Sequence, residues 1–160
     1  MGSDYGALAV WGAFIGLFFI LGAVMYILFA YGLYTMANRR NIENAWLAWI
    51  PIGQFYTMGE VIGPLKIGDF HVDKPGLYLL LGMAGCMVLA QIPNVGIIFS
   101  LAMTVLTIGA LYYLFSCYTT ENTPLLYTIL SFVTLGFLAA VFIFIIRKND
   151  YRGYDDTLTI

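Results

Sequence analysis

Charged side chains are scarce in this chain of 160 residues: Asp, Glu, Lys and Arg together make up 10%. A soluble domain carries about 25%, whereas here 61% of the residues are hydrophobic and the mean hydropathy is +0.87. No charged side chain occurs between Lys74 and Glu121. That stretch is long enough to cross a bilayer twice, because one helical crossing takes about 20 residues. The composition therefore excludes a soluble fold and predicts an all-α membrane bundle.

Basic residues and histidine are also few, and both shortages exclude classes of function. Seven Lys and Arg against nine Asp and Glu give a net charge of -2, so a nucleic-acid partner, which requires a basic face, is not expected. The single histidine lies in Asp69-Phe70-His71-Val72-Asp73, which we interpret as a solvated loop rather than a metal site. No nucleophile with a base, phosphate loop, zinc motif or haem-ligand pair is present. We expect neither enzyme activity nor a cofactor.

The two cysteines, Cys86 and Cys117, lie inside apolar segments without a CxxC or Cys/His grouping. We interpret them as buried thiols, because free cysteine behaves as a small apolar residue. A disulfide requires both sulfurs to face each other at one depth, so whether they are reduced stays open at this point.

Four apolar segments are predicted to cross the membrane within one domain that covers 1–160. They are residues 7–36, 76–91, 96–118 and 125–146, followed by a polar tail over 147–160. The second and third should form a hairpin that turns at Pro93-Asn94.

The apolar segment 45–63 is interrupted by a proline and two glycines, which disfavour a continuous crossing. Polar residues recur at every third position, namely Gln54, Thr57 and Glu60. This pattern predicts an amphipathic helix that is interfacial or re-entrant. Five transmembrane helices are the alternative, which the distribution of Lys and Arg favours slightly.

The chain also carries a weak internal similarity at an offset of 78 residues. Leu33-Tyr34 with Glu43-Asn44 aligns with Leu111-Tyr112 and Glu121-Asn122. Transporters are often built from such repeats, although chance matches are also common in apolar sequence.

Polar residues near or within the predicted crossings are candidates for a proton, cation or polar path: Glu60, Gln54, Ser100, Thr104 and Thr107. The three hydroxyls share one side of a helix. A hydroxyl in a membrane helix can also bond back to its own backbone, so a packing role stands beside the path.

A second set of residues forms a candidate interface. Gly12-xxx-Gly16 allows close approach of another helix, and we expect packing within the chain more than dimerisation. Trp46, Trp49 and Tyr56 are residue types of the membrane interface, and we predict that they form an aromatic collar.

The segment AWLAWIPIGQFYTMGEV and the later turn QIPNVGII resemble a pattern in small bacterial multi-pass membrane proteins. Those proteins pair an IPIxNxY segment with a later IPxVNII turn, and the resemblance covers about Leu33 to Phe132. This chain has Gln54 where the pattern has Asn, and a longer loop from Pro64 to Lys74. The resemblance implies a four-helix bacterial membrane protein with a surface segment after the first helix, and it implies no activity.

From these observations we expect a non-enzymatic multi-pass protein of the cell membrane, and of the bacterial cytoplasmic membrane if the resemblance holds. It would act as an accessory or scaffold subunit whose partners are the bilayer and other membrane subunits or further copies of itself. A small transporter or channel for protons, cations or a small solute is the alternative.

Overall fold

The structure, a computed structural model, describes residues 2–67, 70–120 and 123–153. Within these residues the chain forms six α-helices, one 3-10 helix and one antiparallel pair of strands. In chain order they are α1 (Gly2–Arg39), the 3-10 helix (Ala45–Trp49), α2 (Gly53–Ile62), β1 (Leu65–Ile67), β2 (Phe70–Val72), α3 (Pro75–Leu89), α4 (Gly96–Tyr118), α5 (Thr123–Val133) and α6 (Phe137–Ile146). The predicted helical fold class is confirmed, with a short strand pair in the loop after α2.

Among the described residues, two helices are long and apolar enough to cross a membrane: Ala9–Arg39 within α1, and α4. The 38 residues of α1 and the 23 of α4 extend about 57 Å and about 35 Å at 1.5 Å per residue. Both exceed the hydrocarbon thickness of about 30 Å. The helices α3, α5 and α6 are apolar but shorter, so four crossings are not confirmed.

The carboxyl ends of α1 and α4 lie side by side. Arg40, directly after α1, and Tyr118, the last residue of α4, both donate hydrogen bonds to the backbone oxygen of Val61 near the end of α2. The helix α3 leads away from this level and α4 leads back to it. The turn between them, at residues 90–95, therefore lies at the opposite end, and Asn94 there has a positive φ of 69°.

The segment predicted as one crossing over 125–146 is two helices that fold back on each other. The ring of Tyr127 on α5 stacks on that of Phe142 on α6, with centroids 4.1 Å apart and planes 5° apart. The ring of Phe115 on α4 meets both edge-on. We call residues 123–146 the second hairpin. Both of its ends lie beside the end of α4, because Asn149 Nδ2 donates to the backbone oxygen of Tyr118 (2.9 Å).

Local hydrogen bonds explain why the chain turns between α5 and α6. The Gly136 N–H donates to Ser131 O (2.7 Å) and the Leu135 N–H to Phe132 O (3.0 Å), which is the bond pair of a Schellman motif. Leu135 and Gly136 both have positive φ, 53° and 89°. The Thr134 hydroxyl then accepts a hydrogen bond from the backbone N–H of Leu138 (3.1 Å), as a capping residue does.

Residues 41–62, which we call the first hairpin, fold in a similar way. The 3-10 helix runs back along α1, where the Tyr26 hydroxyl donates to the backbone oxygen of Trp49. The helix α2 then returns to the carboxyl end of α1, because Gln54 lies near Tyr26 and Val61 bonds Arg40. The segment 45–63 therefore turns back to the end of α1 from which it came.

The two halves of the chain share one arrangement. Each has a long helix followed by a hairpin whose returning helix, α2 or α6, is 10 residues long. Each returning helix packs against the long helix of the other half: Gly32 of α1 lies against Ile143 of α6, and the thiol of Cys117 on α4 donates to Ile62 O of α2 (3.6 Å). The internal similarity at an offset of 78 residues thus coincides with a repeated order of helices in the two halves.

The buried core and the basic residues lie at the same end of the molecule. Large buried side chains cluster there: Leu33, Met36, Val61, Leu114, Phe115, Ile143 and Ile146. All seven Lys and Arg lie at or directly after the last residue of α1, in the loop 63–74 or after α6, so we call this the charged end. The turn 90–95 at the opposite end has no charged side chain, and residues 9–24 of α1 are all exposed.

Candidate functional site at the hairpin tips

The tips of both hairpins meet about halfway along α1. Gln54 at the first tip and Leu135 and Gly136 at the second line one groove of about 370 Å³ together with Tyr26 and Phe29 of α1. We call it the α1 groove. Its lining is apolar apart from Gln54 and Tyr26.

A second groove, the α4 groove, has a volume of about 530 Å³ on the other side of the second tip. It collects the predicted hydroxyl stripe of Ser100, Thr104 and Thr107, and α5 adds Thr128 and Ser131. The spacing of the three α4 hydroxyls identified this side of the helix correctly. The two α5 hydroxyls were missed because that segment was interpreted as a single crossing.

Most of these hydroxyls are already satisfied by their own helices. Ser100 donates to Gly96 O (3.0 Å), Thr104 to Ser100 O (3.0 Å), Thr107 to Met103 O (2.8 Å) and Thr128 to Pro124 O (2.8 Å). Each bond spans four residues, as expected for hydroxyls in membrane helices. The stripe therefore does not by itself require a ligand.

Two polar side-chain atoms beside the tip of the second hairpin differ from these hydroxyls in their hydrogen bonding. Gln54 Nε2 and Ser131 Oγ are buried without a hydrogen-bond partner in the part of the chain that the structure describes. Ser131 is 1% exposed. A buried unsatisfied polar group costs about 1–3 kcal/mol, so these atoms are the ones that a polar ligand would stabilise.

The two grooves use equivalent positions of the two long helices. The α1 groove is lined from α1 by Gly22, Met25, Tyr26 and Phe29, and the α4 groove from α4 by residues that include Ser100, Met103, Thr104 and Thr107. Each of the four pairs is separated by 78 residues, the offset of the internal similarity. The hydroxyls of the α4 groove correspond to larger or apolar groups in the α1 groove, so the second half carries the more polar surface.

The predicted polar path is not brought together as one site. Gln54 lies in the α1 groove and the α4 hydroxyls lie across the tip in the other groove. Glu60 lines neither groove. It lies near the charged end, where its carboxylate is next to Gly76 and its backbone oxygen accepts a hydrogen bond from Arg40 (3.1 Å).

The predicted interface residues also separate. Among the described residues, no neighbouring atom lies within 4 Å of where a Cβ would stand on Gly12 or Gly16. The expected packing of this pair within the chain is therefore not seen in the part that the structure describes. Trp46 and Trp49 are 57% and 41% exposed, and Trp49 lies beside the ring of Tyr34 on α1 (6.4 Å). The backbone of Tyr56 instead faces α3.

At the charged end, the beginning of the predicted polar tail is docked on the bundle. The Tyr151 hydroxyl donates to Ile62 O (2.9 Å), its ring lies 3.7 Å below the guanidinium carbon of Arg40, and the Arg152 N–H donates to Cys117 O (3.0 Å). Burial raises the pKa of Tyr151, the nearby Cys117 adds to this, and Arg40 opposes it. Residues 154–160 lie outside the described part of the tail.

Cys86 is half-buried on α3, Cys117 is buried on α4, and both are free thiols. Over residues 2–67, 70–120 and 123–153, no three His, Cys, Asp or Glu residues group as metal ligands would. The Asp69 of the acidic loop lies outside these ranges, and His71 on β2 is exposed.

No protein-family model, curated protein or solved structure matches this chain. The resemblance to small bacterial membrane proteins therefore stays a prediction from the sequence.

Proposed function

We propose that this chain is a non-enzymatic, multi-pass protein of the cell membrane that acts as an accessory or scaffold subunit. The observation that carries this proposal is the amino-terminal part of α1. Residues 9–24 are all exposed, although they include large apolar side chains such as Trp11, Phe14 and Phe18. A helix that spans this length without neighbours among the described residues is available to another membrane protein.

The sequence of this part of α1 suits helix association. Ala9, Gly12, Ala13 and Gly16 are spaced by three or four residues and so lie on one side of the helix. Trp11, Phe14 and Phe18 lie on the other side. Lipid chains give no hydrophobic drive between membrane helices, so such helices associate through small residues that let their backbones approach. We assign the small side to a partner helix and the bulky side to lipid.

The proposed topology has three crossings, formed by α1, α3 and α4, with the two hairpins entering from the charged end. The helices of the second hairpin have 11 and 10 residues and reach about 15–17 Å, about half of a hydrocarbon core of about 30 Å. Because Lys and Arg prefer the cytoplasmic side, we assign the charged end to the cytoplasm.

Purification in a mild detergent tests the scaffold role. The wild-type chain should co-purify with a stoichiometric membrane partner or as an oligomer. Gly12→Leu with Gly16→Leu should release it, since the added side chains separate the backbones. Gly85→Leu is the matched control, because Gly85 on α3 also has open space where a Cβ would stand. A wild-type chain that is monomeric and alone in native membranes would contradict the proposal.

A small transporter is the second candidate, and one observation favours it. The unpartnered Gln54 Nε2 and Ser131 Oγ lie at the proposed middle of the bilayer, between two repeated halves. Transporters bind their substrates near the midplane at the interface between repeats. Solute or cation flux into liposomes should then fall in Gln54→Leu and persist in Thr104→Val, whose hydroxyl bonds its own helix. Equal flux in Gln54→Leu and wild type would remove this candidate.

A further inference from the structure

Three arginines converge on one small cavity at the charged end. Arg39 and Arg40 at the end of α1 and Arg147 after α6 line a volume of about 100 Å³ with Tyr118, Asn149, Asp150 and Tyr151. We call it the arginine cavity. These side chains take no part in the functions proposed above for α1 and for the hairpin tips.

The positive charge of this cavity is only partly neutralised by the residues that line it. Arg39 Nη2 pairs with a carboxylate oxygen of Asp150 (2.9 Å). In the described ranges no carboxylate pairs with Arg40 or Arg147. Three guanidinium groups and one carboxylate leave an excess of two positive charges, and Arg remains charged at any ordinary pH.

The guanidinium groups are held in place by contacts that do not neutralise them. Arg147 Nη1 donates to Phe144 O, and its guanidinium carbon lies 3.6 Å from the ring centre of Phe144. Arg40 Nη1 donates to Glu60 O and Val61 O while its plane covers Tyr151. Arg40 also has side-chain hydrogen bonds with Tyr118 and Tyr151. Stacking and carbonyl contacts fix the direction of a guanidinium, and they leave the other N–H donors of Arg147 for an anion. Arg147 has no other hydrogen bond within the described residues.

The level of the cavity indicates where the anion comes from. The cavity lies where α1, α4 and α6 end. If α4, with its 23 residues and about 35 Å, spans a hydrocarbon core of about 30 Å, its end lies among the lipid headgroups. Basic pockets between helix ends on the cytoplasmic side of membrane proteins bind anionic headgroups.

We propose that the arginine cavity binds a phosphate group, supplied by an anionic phospholipid of the leaflet at the charged end. The guanidinium groups of Arg40 and Arg147 would donate to the phosphate oxygens, and Arg39 would stay paired with Asp150. The carboxylate of Asp150 opposes the anion. The site is therefore expected to bind more tightly when that charge is removed.

Native mass spectrometry of the full chain, with phosphatidylglycerol titrated into phosphatidylcholine nanodiscs, tests the site. Arg147→Gln should weaken binding at least about tenfold, since a charge-assisted hydrogen bond is lost. Arg152→Gln is the matched control. It removes the same charge outside the cavity and should change binding by about fivefold at most, the general attraction of one surface charge. Asp150→Asn should tighten binding.

Further arms distinguish the source of the phosphate and guard against misfolding. Arg147→Lys keeps the positive charge but loses the planar guanidinium with its several N–H donors. If the variants fold, its affinity for phosphatidylglycerol should lie between those of the wild type and of Arg147→Gln. Saturation by inorganic phosphate alone would support the site but assign it to a soluble ion. Equal weakening in Arg147→Gln and Arg152→Gln would overturn the proposal.

Discussion

The crossing of α2 and α3 depends on two glycines, and this dependence can be measured as stability. A Cβ on Gly59 would lie 2.5 Å from Cα and N of Gly76 and 2.6 Å from the carbonyl carbon of Pro75. These atoms belong to the backbone of α3, so they cannot move aside as a flexible side chain does. Gly59→Ala must therefore push α2 and α3 apart.

The magnitude follows from comparison with a glycine in open space. Replacing Gly by Ala inside a helix stabilises it by about 0.5–1 kcal/mol, and Gly85→Ala on α3 should show this gain because nothing lies within 4 Å. Gly59→Ala has the same gain but also an overpacking cost of about 1–3 kcal/mol. The helix-propensity gain is the same in both variants and cancels when they are compared. The difference in their unfolding free energy should therefore equal the overpacking cost, about 1–3 kcal/mol.

Equilibrium unfolding in mixed micelles, followed by tryptophan fluorescence and circular dichroism, measures this difference. Gly76→Ala provides a check from the other helix, since its Cβ would meet the carboxylate of Glu60 and the backbone of Tyr56. A Gly59→Ala variant as stable as Gly85→Ala would show that α2 and α3 do not meet at this point. The return of α2 to the charged end would then lose its main support.

Three further outcomes are expected. Cysteines at Lys66 and Arg152 should be labelled from the same side of the membrane and a cysteine at Asn94 from the other; labelling of Lys66 and Arg152 from opposite sides would contradict the three-crossing topology. Leu135→Gly should raise the unfolding free energy by about 1 kcal/mol, because a left-handed backbone costs an L-residue about 1–2 kcal/mol, and an unchanged value would argue against the positive φ. Because the pKa of Tyr151 is raised in the folded chain, docking of the tail should be constant below about pH 10 and weaken as the pH rises further; limited proteolysis of the tail should show this loss in the wild type and not in Tyr151→Phe.

The helical class and the two long spans could be predicted because both depend on properties of a single helix. Apolar length and the absence of charge identify α4 without any knowledge of its neighbours. The same holds for the hydroxyl stripe, since residues spaced by three or four positions share a side wherever the helix lies. Ser100, Thr104 and Thr107 therefore appear in one groove as expected.

The second hairpin could not be predicted in this way, because its turn looks like an ordinary apolar sequence. Residues 125–146 contain no charge, and the break rests on Thr134, Leu135 and Gly136. A single glycine is common in membrane helices, and leucine rarely takes the left-handed conformation. The usable signal was a threonine two residues before a glycine. It predicts a cap and a turn only once a hairpin is already considered.

The partner of Gly12 and Gly16 could not be predicted from the sequence, for a geometric reason. A small-xxx-small pair predicts close packing but does not say with which helix. The buried residues of α1 begin at Ala30, and the hairpins that cover it reach only its carboxyl-terminal half. The glycine pair lies beyond that reach, and we therefore propose that its partner is a helix of another chain.

The distribution of Lys and Arg shows how the hairpins and the charges fit together. A fourth crossing over 125–146 would carry Arg147, Lys148 and Arg152 to the opposite side, and a crossing over 45–63 would separate Lys66 and Lys74 from Arg39 and Arg40. Both predictions thus divide the basic residues, which is why the positive-inside preference decided between them so weakly. A hairpin that enters to half depth returns the chain to the side it left. With two such hairpins all seven basic residues lie at one end, so the charge pattern and the half-depth hairpins support the same three-crossing topology.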